Sequence, residues 1–168
     1  MAAEPTIESK PTQNKRFGHY TVVRAVGSGA MGTVYEARHE GLDKRVALKV
    51  LNPLAALEPT VQRRFLREGQ TAARIRHPHI VNVTDVGVQD GVPWLVMEFL
   101  EGEDLAALLE REGALPVERV ADLMLPVISA IDAAHRASVL HRDLKPANIF
   151  LTRGGGGATH PIVVDFGI

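Results

Sequence analysis

The chain contains no cysteine and no long apolar run, and each absence excludes a class of protein. Without cysteine, neither disulfides nor thiolate metal sites can form, so we expect a reducing, cytoplasmic environment. No apolar run approaches the roughly 18 residues of a membrane span, so we expect no membrane segment. Residues 1–15 are polar and lack the apolar stretch of a signal peptide, and we predict a disordered leader there.

The chain also lacks an excess of charge of either sign. Its formal net charge is −1, so no overall field favours nucleic acid or an anionic membrane as a partner. Hydrophobic residues make up 45% and charged residues 23% of the 168 positions, as is typical of a globular protein with a sizeable core. The length is that of one ordinary domain.

Strand-like segments fill the first half of the chain, and helical patterns dominate the second. Alternating and β-branched residues predict five strands, at 20–26, 33–38, 45–51, 80–88 and 94–99. A helix over 59–75 separates the third strand from the fourth. After residue 100, Asp104 can cap a short helix, and a longer helix runs from Pro116 to Arg136 with Pro126 inside it. The pattern predicts an α+β fold with a boundary near residue 100.

A glycine-rich loop lies between the first two predicted strands. Residues 27–32, Gly-Ser-Gly-Ala-Met-Gly, match the pattern G-x-G-x-x-G, which occurs by itself in many ordinary turns. In a dinucleotide-binding fold the third glycine opens a helix, whereas residues 33–35 favour a strand here. The absence of a following G-K-[S/T] argues against a P-loop. A glycine loop between two strands is suited to cover phosphates with its backbone amides.

Lys49 lies within the apolar third strand, where an unpaired ammonium group would be expensive to bury. Glu68 on the following helix is the candidate anionic partner. Each residue taken alone has a simpler explanation: Lys49 as an edge-strand lysine facing solvent, and Glu68 as a solvated helix residue.

Residues 141–148, His-Arg-Asp-Leu-Lys-Pro-Ala-Asn, give the strongest functional signal. Asp143 can accept a proton from an attacking hydroxyl, and Lys145 can neutralise charge on a transferring phosphoryl group. Asn148 can offer an oxygen to a divalent cation. Asp165 follows an apolar strand and offers a second hard oxygen ligand, suited to Mg²⁺. A chance match to all eight positions of the loop is very improbable.

Together these motifs resemble the eukaryotic-type protein kinases, and most closely their bacterial serine/threonine branch, from about Phe17 to Ile168. The resemblance implies ATP and Mg²⁺ (or Mn²⁺) as cofactors, with Asn148 and Asp165 as metal ligands. It implies that Lys49 holds phosphates and pairs with Glu68. The implied catalytic residues are Asp143, Lys145, Lys49 and Glu68. The implied nucleotide-binding residues are Val26, Gly27, Ser28, Gly29, Gly32, Val34, Ala47, Lys49, Met97, Glu98, Leu100 and Phe150.

The resemblance also implies a two-lobed fold and a substrate class. Residues 16–100 would form a complete N-lobe and hinge, with a five-stranded antiparallel sheet and one helix. Residues 101–168 would form only the first part of a helical C-lobe. Lys145 within Asp-Leu-Lys-Pro-x-Asn favours Ser or Thr of a protein as the acceptor, and the motifs together argue against a small-molecule phosphotransferase. An alternative stays open: a module that binds Mg-ATP or a partner without transferring phosphate.

The sequence departs from the family pattern in three ways: Pro126, a glycine run at 154–157, and the lack of an activation segment after Asp165. We read the glycine run as a flexible hairpin loop. From the third departure we expect little kinase activity and weak ATP affinity of this chain alone. We also expect Val127, Ile128 and Ile131 to form an exposed patch that favours self-association.

The seven histidines do not indicate a metal site. His77 and His79 flank Pro78 and match no helical ligand spacing, so a zinc site is disfavoured. By the family resemblance, His-Pro-x-Ile is a structural turn. His141 is expected to pack beneath the catalytic loop.

Overall fold

The computed structural model describes residues 14–29, 31–153 and 159–166. The predicted leader and the glycine run at 154–157 therefore lie outside the described residues, apart from Asn14 and Lys15. The strands of the first half are β1 (Arg16–Phe17), β2 (Tyr20–Gly29), β3 (Gly32–His39), β4 (Lys44–Leu51), β5 (Val83–Gln89) and β6 (Val92–Glu98). They form an antiparallel sheet in the order β1-β2-β3-β4-β6-β5, accompanied by helix α1 (Pro59–Ala72). The predicted α+β class is confirmed.

The second half contains two helices and a small sheet. Its elements are β7 (Gly102–Asp104), α2 (Leu105–Glu112), α3 (Val117–Arg136), β8 (Ile149–Arg153) and β9 (Thr159–Val163). Strands β7, β8 and β9 form an antiparallel sheet in that order. No helix among the described residues has the length and apolarity needed to cross a membrane.

The first sheet has one more strand than the five predicted. Strand β1 has only two residues, and it folds back on β2 through Gly18, whose φ is 56°. Two residues are too few to show the alternation of apolar and polar side chains on which strand prediction depends. Asp90 and Gly91 form the turn between β5 and β6, with φ values of 51° and 75°. Positive φ at both central residues is typical of tight hairpins.

Helix α1 packs closely against the first sheet at Gly69. A Cβ atom at this position would lie 3.0 Å from Val86 Cγ1 and 3.6 Å from Leu95 Cδ2. Glycine costs about 1 kcal/mol relative to alanine inside a helix. The close approach of helix and sheet gives a packing reason for that cost. The helix ends at Ala72, three residues before the predicted limit.

Helices α2 and α3 begin close to where the sequence indicates. The Asp104 carboxylate accepts a hydrogen bond from Ala107 N at 2.9 Å, which confirms the predicted N-cap of α2. Helix α3 continues through Pro126 without interruption. One expectation for α3 was wrong: Val127 is only 1% exposed and belongs to the core, whereas Ile128 is 59% exposed. The two residues are adjacent on the helix and therefore point in directions about 100° apart.

A single large core joins the two halves of the molecule. Its most buried members include Phe65 of α1, Leu95 of β6, Val127 of α3 and Val163 of β9. A second cluster, around Trp94 and Tyr20, covers the other face of the first sheet. The first sheet, α1 and the β8–β9 hairpin are thus held against one another by buried side chains, and the edges where they meet border an open cleft.

Candidate active site

A cleft of about 640 Å³ opens between the first sheet and the β8–β9 hairpin. Strands β2, β3 and β4 provide its roof, the segment after β6 its side, and β8 its floor. Its lining includes eight of the predicted nucleotide-binding residues, namely Val26, Gly27, Val34, Ala47, Met97, Glu98, Leu100 and Phe150. Asp165 borders the same cleft. Residues separated by more than 130 positions in the chain therefore meet at one cavity.

The glycines of the loop differ in what surrounds them. A Cβ atom at Gly32 would lie 2.2 Å from the carbonyl oxygen of Val50, so this glycine permits the close approach of β3 and β4. A Cβ atom at Gly27 or Gly29 would meet nothing within 4 Å in the described structure. Packing therefore explains Gly32, whereas the open space at Gly27 and Gly29 suits the approach of a ligand. Ala30 lies outside the described residues.

Lys49 is buried, as its place in β4 predicts, but its partner differs from the expected one. Its Nζ atom lies 2.6 Å from Asp165 Oδ1. Glu68 instead binds Arg64, one turn earlier on α1, at 2.9 Å. The expected Lys49–Glu68 pair is therefore not formed. Asp165 supplies the anion that the buried ammonium group of Lys49 requires. Glu68 pairs instead with Arg64, four residues earlier on the same helix.

Glu68 is only partly satisfied by this arrangement. Its second oxygen, Oε2, is buried and has no hydrogen-bond partner among the described residues. A buried carboxylate oxygen without a donor is costly. The site therefore retains an anionic group that an additional cationic or N–H donor would stabilise.

The loop at 141–148 is organised around Asp143. Lys145 Nζ donates to Asp143 Oδ2 at 2.7 Å. The amide nitrogen of Asn148 donates to the Asp143 carbonyl oxygen at 2.8 Å and to its Oδ2 at 3.2 Å. The hydrogen bond from Lys145 is the main reason that the pKa of Asp143 lies below its usual value. Asp143 is therefore a carboxylate in a fixed orientation at neutral pH.

Asn148 and Asp165 lie at the same end of the β8–β9 hairpin. The register pairs Ile149 with Val163, and Val164 N donates to Asn148 O at 3.0 Å, so the two side chains emerge from neighbouring positions. Both hydrogen bonds of the Asn148 amide use its nitrogen, which leaves Oδ1 for a cation. An amide oxygen and a carboxylate are ligands that fit Mg²⁺ or Mn²⁺. Within the described ranges, no group of three or more His, Cys, Asp or Glu residues is placed to hold a metal.

His141 joins the catalytic loop to the segment that carries Asp165. The ring is buried, its Nε2 lies 2.9 Å from Val164 O, and its centroid is 4.8 Å from that of Phe166. Its position agrees with the packing role expected from the sequence.

Arg142 and Asp165 have φ values of 64° and 58°, a backbone region unusual for residues other than glycine. Strained backbone of this kind concentrates at functional sites, and nothing in the sequence signals it here.

A second cleft, also about 640 Å³, lies between α1 and the segment before the catalytic loop. Four arginines line it, namely Arg63, Arg64, Arg67 and Arg142. The sequence analysis did not single out the three on α1. The available signal was the spacing of Arg67 from the other two, three positions from Arg64 and four from Arg63, because residues at these spacings are neighbours on a helix surface.

The geometry described so far agrees with the comparison to known proteins. The model of the protein kinase domain family matches residues 20–168. The chain therefore belongs to the protein kinase domain family. Over 154 residues it is 44% identical to the serine/threonine-protein kinase PknI of Mycobacterium tuberculosis. Over 158 residues it is 40% identical to PknF of the same organism.

The solved structures show the same likeness. The crystal structure of the M. tuberculosis PknI kinase domain superposes with a TM-score of 0.80 at 42% identity. The superposition covers 93% of this chain and 62% of that one. The matches cover 90% of this chain but 26% of PknI, and 93% of this chain but 33% of PknF. The chain thus has the protein kinase fold and spans only part of the length of its relatives.

Proposed function

We propose that the protein binds Mg-ATP and takes part in the transfer of phosphate to Ser or Thr hydroxyls of a protein substrate. The observation that carries this proposal is a pair of networks, each with a link to the cleft. Asp143 binds Lys145 and Asn148 within the loop that contributes Ala147 to the lining. Lys49 pairs with Asp165, which borders the cleft. The first network supplies a proton acceptor with a cation beside it. The second supplies the charges that phosphate and metal require.

The cleft lining supports ATP as the nucleotide. Val34 and Ala47 on the roof and Phe150 on the floor offer apolar surfaces for a flat base. The backbone groups of residues 98–100 lie along the side, where they can bond the base edge. Gly27, Ser28, Gly29 and Gly32 belong to the loop that would cover the phosphates. We also propose that residues 16–100 and 101–168 form two lobes that meet at this cleft.

Asn148 and Asp165 would hold the metal ion, Mg²⁺ or Mn²⁺. The bound ion would neutralise charge on the phosphate oxygens. Asp143 then orients the substrate hydroxyl and accepts its proton, and Lys145 stabilises negative charge beside it. Because Lys145 is about half exposed and donates to Asp143, it is available to a protein hydroxyl beside that carboxylate. Relatives at 40–44% identity are named serine/threonine-protein kinases, which supports Ser and Thr as acceptors.

Lys49 and Glu68 must change partners before transfer in this scheme. Lys49 now occupies the carboxylate that the metal needs, and Glu68 is held by Arg64. The buried Glu68 Oε2 atom is an acceptor that Lys49 would satisfy once phosphate and metal arrive. The four-arginine cleft beside α1 would favour an anionic group, such as a phosphorylated residue, near Arg142. The lack of cysteine supports a reducing compartment, and we assign the protein to the cytoplasm.

The alternative function is nucleotide binding without transfer, and it is favoured by the present partners of the two residues, Asp165 for Lys49 and Arg64 for Glu68. Two measurements on one sample separate the functions: calorimetric titration with Mg-ATP, and incorporation of labelled phosphate into a generic protein substrate. D143N serves as the matched variant, because it removes the proton acceptor and leaves the cleft lining intact. Transfer that D143N abolishes supports the kinase function. Binding with no transfer above the D143N level supports the alternative, and no binding contradicts both.

A further inference from the structure

Three histidines outside the nucleotide cleft meet where the segment after α1 passes the start of β9. The rings of His79 and His160 are stacked, with centroids 4.2 Å apart and planes 29° apart. The ring of His77 lies 5.7 Å from that of His79. We refer to His77, His79 and His160 as the histidine clasp. The sequence placed two of them in a structural turn, and the function proposed above uses none of them.

His79 and His160 each bind the backbone of the opposite segment. His79 Nδ1 lies 2.7 Å from Pro161 O, and His160 Nε2 lies 2.9 Å from Pro78 O. Because a carbonyl oxygen only accepts hydrogen bonds, each of these nitrogens carries a proton and donates. The two rings therefore connect the two segments reciprocally, and the stacked faces add contact between them.

His77 gives the clasp its sensitivity to protons. His79 N donates to His77 Nδ1 at 3.2 Å, so this nitrogen is an acceptor without a proton, while Nε2 faces Ser129 Oγ at 3.2 Å. Protonation of Nδ1 removes the acceptor and places a positive charge beside His79. Burial and the nearby His79 hold the pKa of His77 below its ordinary value of 6.5.

The direction of the pH effect follows from that shift. A base whose pKa is lower in the folded protein favours the fold when it is neutral. The stabilisation of the fold by neutral His77 is therefore complete above the unfolded pKa of about 6.5. It is lost as the pH falls below that value and through the lower pKa of the folded protein. His77 and His160 line a further cleft of about 610 Å³. The other charged groups in its lining are Arg76, which opposes a further positive charge, and Glu98, which favours one. Glu98 Oε1 already accepts a hydrogen bond from Asn82 N at 2.8 Å.

The segment that the clasp holds leads directly to Asp165. Val163 N donates to His79 O at 2.9 Å, and Val81 N donates to Val163 O at 3.0 Å. Strand β9 ends at Val163, two residues before Asp165. The clasp side chains thus reinforce a short backbone ladder that fixes the approach to the proposed metal ligand.

We propose that His77, His79 and His160 are positioning residues that hold β9, and through it Asp165, and that protonation of His77 loosens this hold. Protonation of His77 removes the acceptor that its Nδ1 offers to His79 N and places a positive charge next to the His79 ring, whose centroid lies 5.7 Å from that of His77. The link to metal binding rests on the function proposed above for Asp165. The hold on β9 does not, and it can be measured separately.

The first experiment measures hydrogen exchange at the Val163 amide in the whole chain by NMR, as a protection factor that corrects for intrinsic pH dependence. H77N keeps an acceptor that does not titrate, and the triple variant H77N/H79N/H160N keeps donors and acceptors throughout. H135N, at an exposed histidine near the end of α3, is the matched control. Between about pH 7.5 and about pH 5.5, we expect wild type and H135N to lose about tenfold in protection and H77N to lose little. An equal loss in wild type and H77N, or no loss in wild type, overturns the proposal.

The second experiment measures the gain in ATP affinity that Mg²⁺ provides, at the same two pH values. ATP itself titrates in this range, so the comparison of wild type with H77N carries the result. We expect acid to reduce the gain more in wild type than in H77N and the triple variant. If acid reduces the gain equally in wild type and H77N, the claim that the clasp positions Asp165 is refuted, whereas the proposed binding of Mg-ATP is not. If ATP does not bind at all, the proposed function fails, and the exchange data alone decide whether the clasp holds β9.

Discussion

Replacing Gly32 by alanine tests whether the glycine loop is shaped by packing at one position and by a ligand at another. The new Cβ atom would lie 2.2 Å from Val50 O, 3.1 Å from Val50 C and 3.2 Å from Leu51 Cα. All three are backbone atoms of β4 or its end, so none can rotate away. Strand β3 must move from β4, and overpacking of this kind costs about 1–3 kcal/mol.

G27A is the matched variant, and the opposite outcome is expected for it. A Cβ atom there meets nothing within 4 Å, and Gly27 does not have a positive φ. The free energy of unfolding should therefore change by no more than about 0.5 kcal/mol. The added methyl group nevertheless enters the open space beside the cleft, where the phosphates are proposed to lie. We expect ATP to bind about tenfold more weakly, equivalent to about 1.4 kcal/mol.

Urea unfolding gives the stability of both variants, and calorimetric titration with Mg-ATP gives their affinity. We expect G32A to lose stability. We expect G27A to bind ATP more weakly while its stability stays close to that of wild type. A G32A protein as stable as wild type would refute the packing argument for Gly32. A G27A protein with unchanged ATP affinity would refute the proposal that the loop covers the phosphates.

Three further predictions concern side chains of the site and of α2. R64A should free Glu68 and tighten ATP binding by up to about twofold, the scale of one exposed helix ion pair, whereas R64K should not. Weaker ATP binding in R64A would contradict the exchange of partners. K145M should raise the pKa of Asp143 toward its ordinary value, because the hydrogen bond from Lys145 is the main cause of the lowered pKa. K145R should leave the pKa low, since it keeps a cationic donor. NMR titration of the Asp143 carboxyl carbon measures the pKa, and an unchanged pKa in K145M would argue against that cause. D104A should lower the free energy of unfolding by about 1 kcal/mol and D104N by much less, and equal losses in urea unfolding would show that the cap does not matter.

The sequence was sufficient for those parts of the site that are local in the chain. The loop at 141–148 carries its proton acceptor, its cation and its amide within eight residues, so their proximity follows from the chain itself. The strands β2 to β6 and the helices α1 to α3 were also predictable, because each extends over seven or more residues. The two-residue strand β1 was not, since it has no period to detect.

Pairings between distant segments were harder to predict. The sequence indicated that Lys49 needs an anion, but Glu68 and Asp165 both satisfy that chemical requirement. Which carboxylate is nearer depends on the placement of α1, and Arg64 competes for Glu68 from the same helix. The stacking of His79 on His160 could not be predicted for a similar reason. Which residue of β9 lies against the segment at 77–79 depends on the register between β8 and β9, and the sequence does not determine that register.

Because Lys49 contacts Asp165, a divalent metal bound at Asp165, as proposed above, would compete with this lysine for the same carboxylate. A metal ion arriving alone must displace an ammonium group 2.6 Å away that is only 7% exposed and has no other described acceptor. A nucleotide brings phosphate oxygens that can receive Lys49 and so release the carboxylate. Each ligand therefore lowers the cost of binding the other, and linkage requires the coupling to be reciprocal. The site would then bind nucleotide and metal well only when both are present, and each one alone would bind weakly.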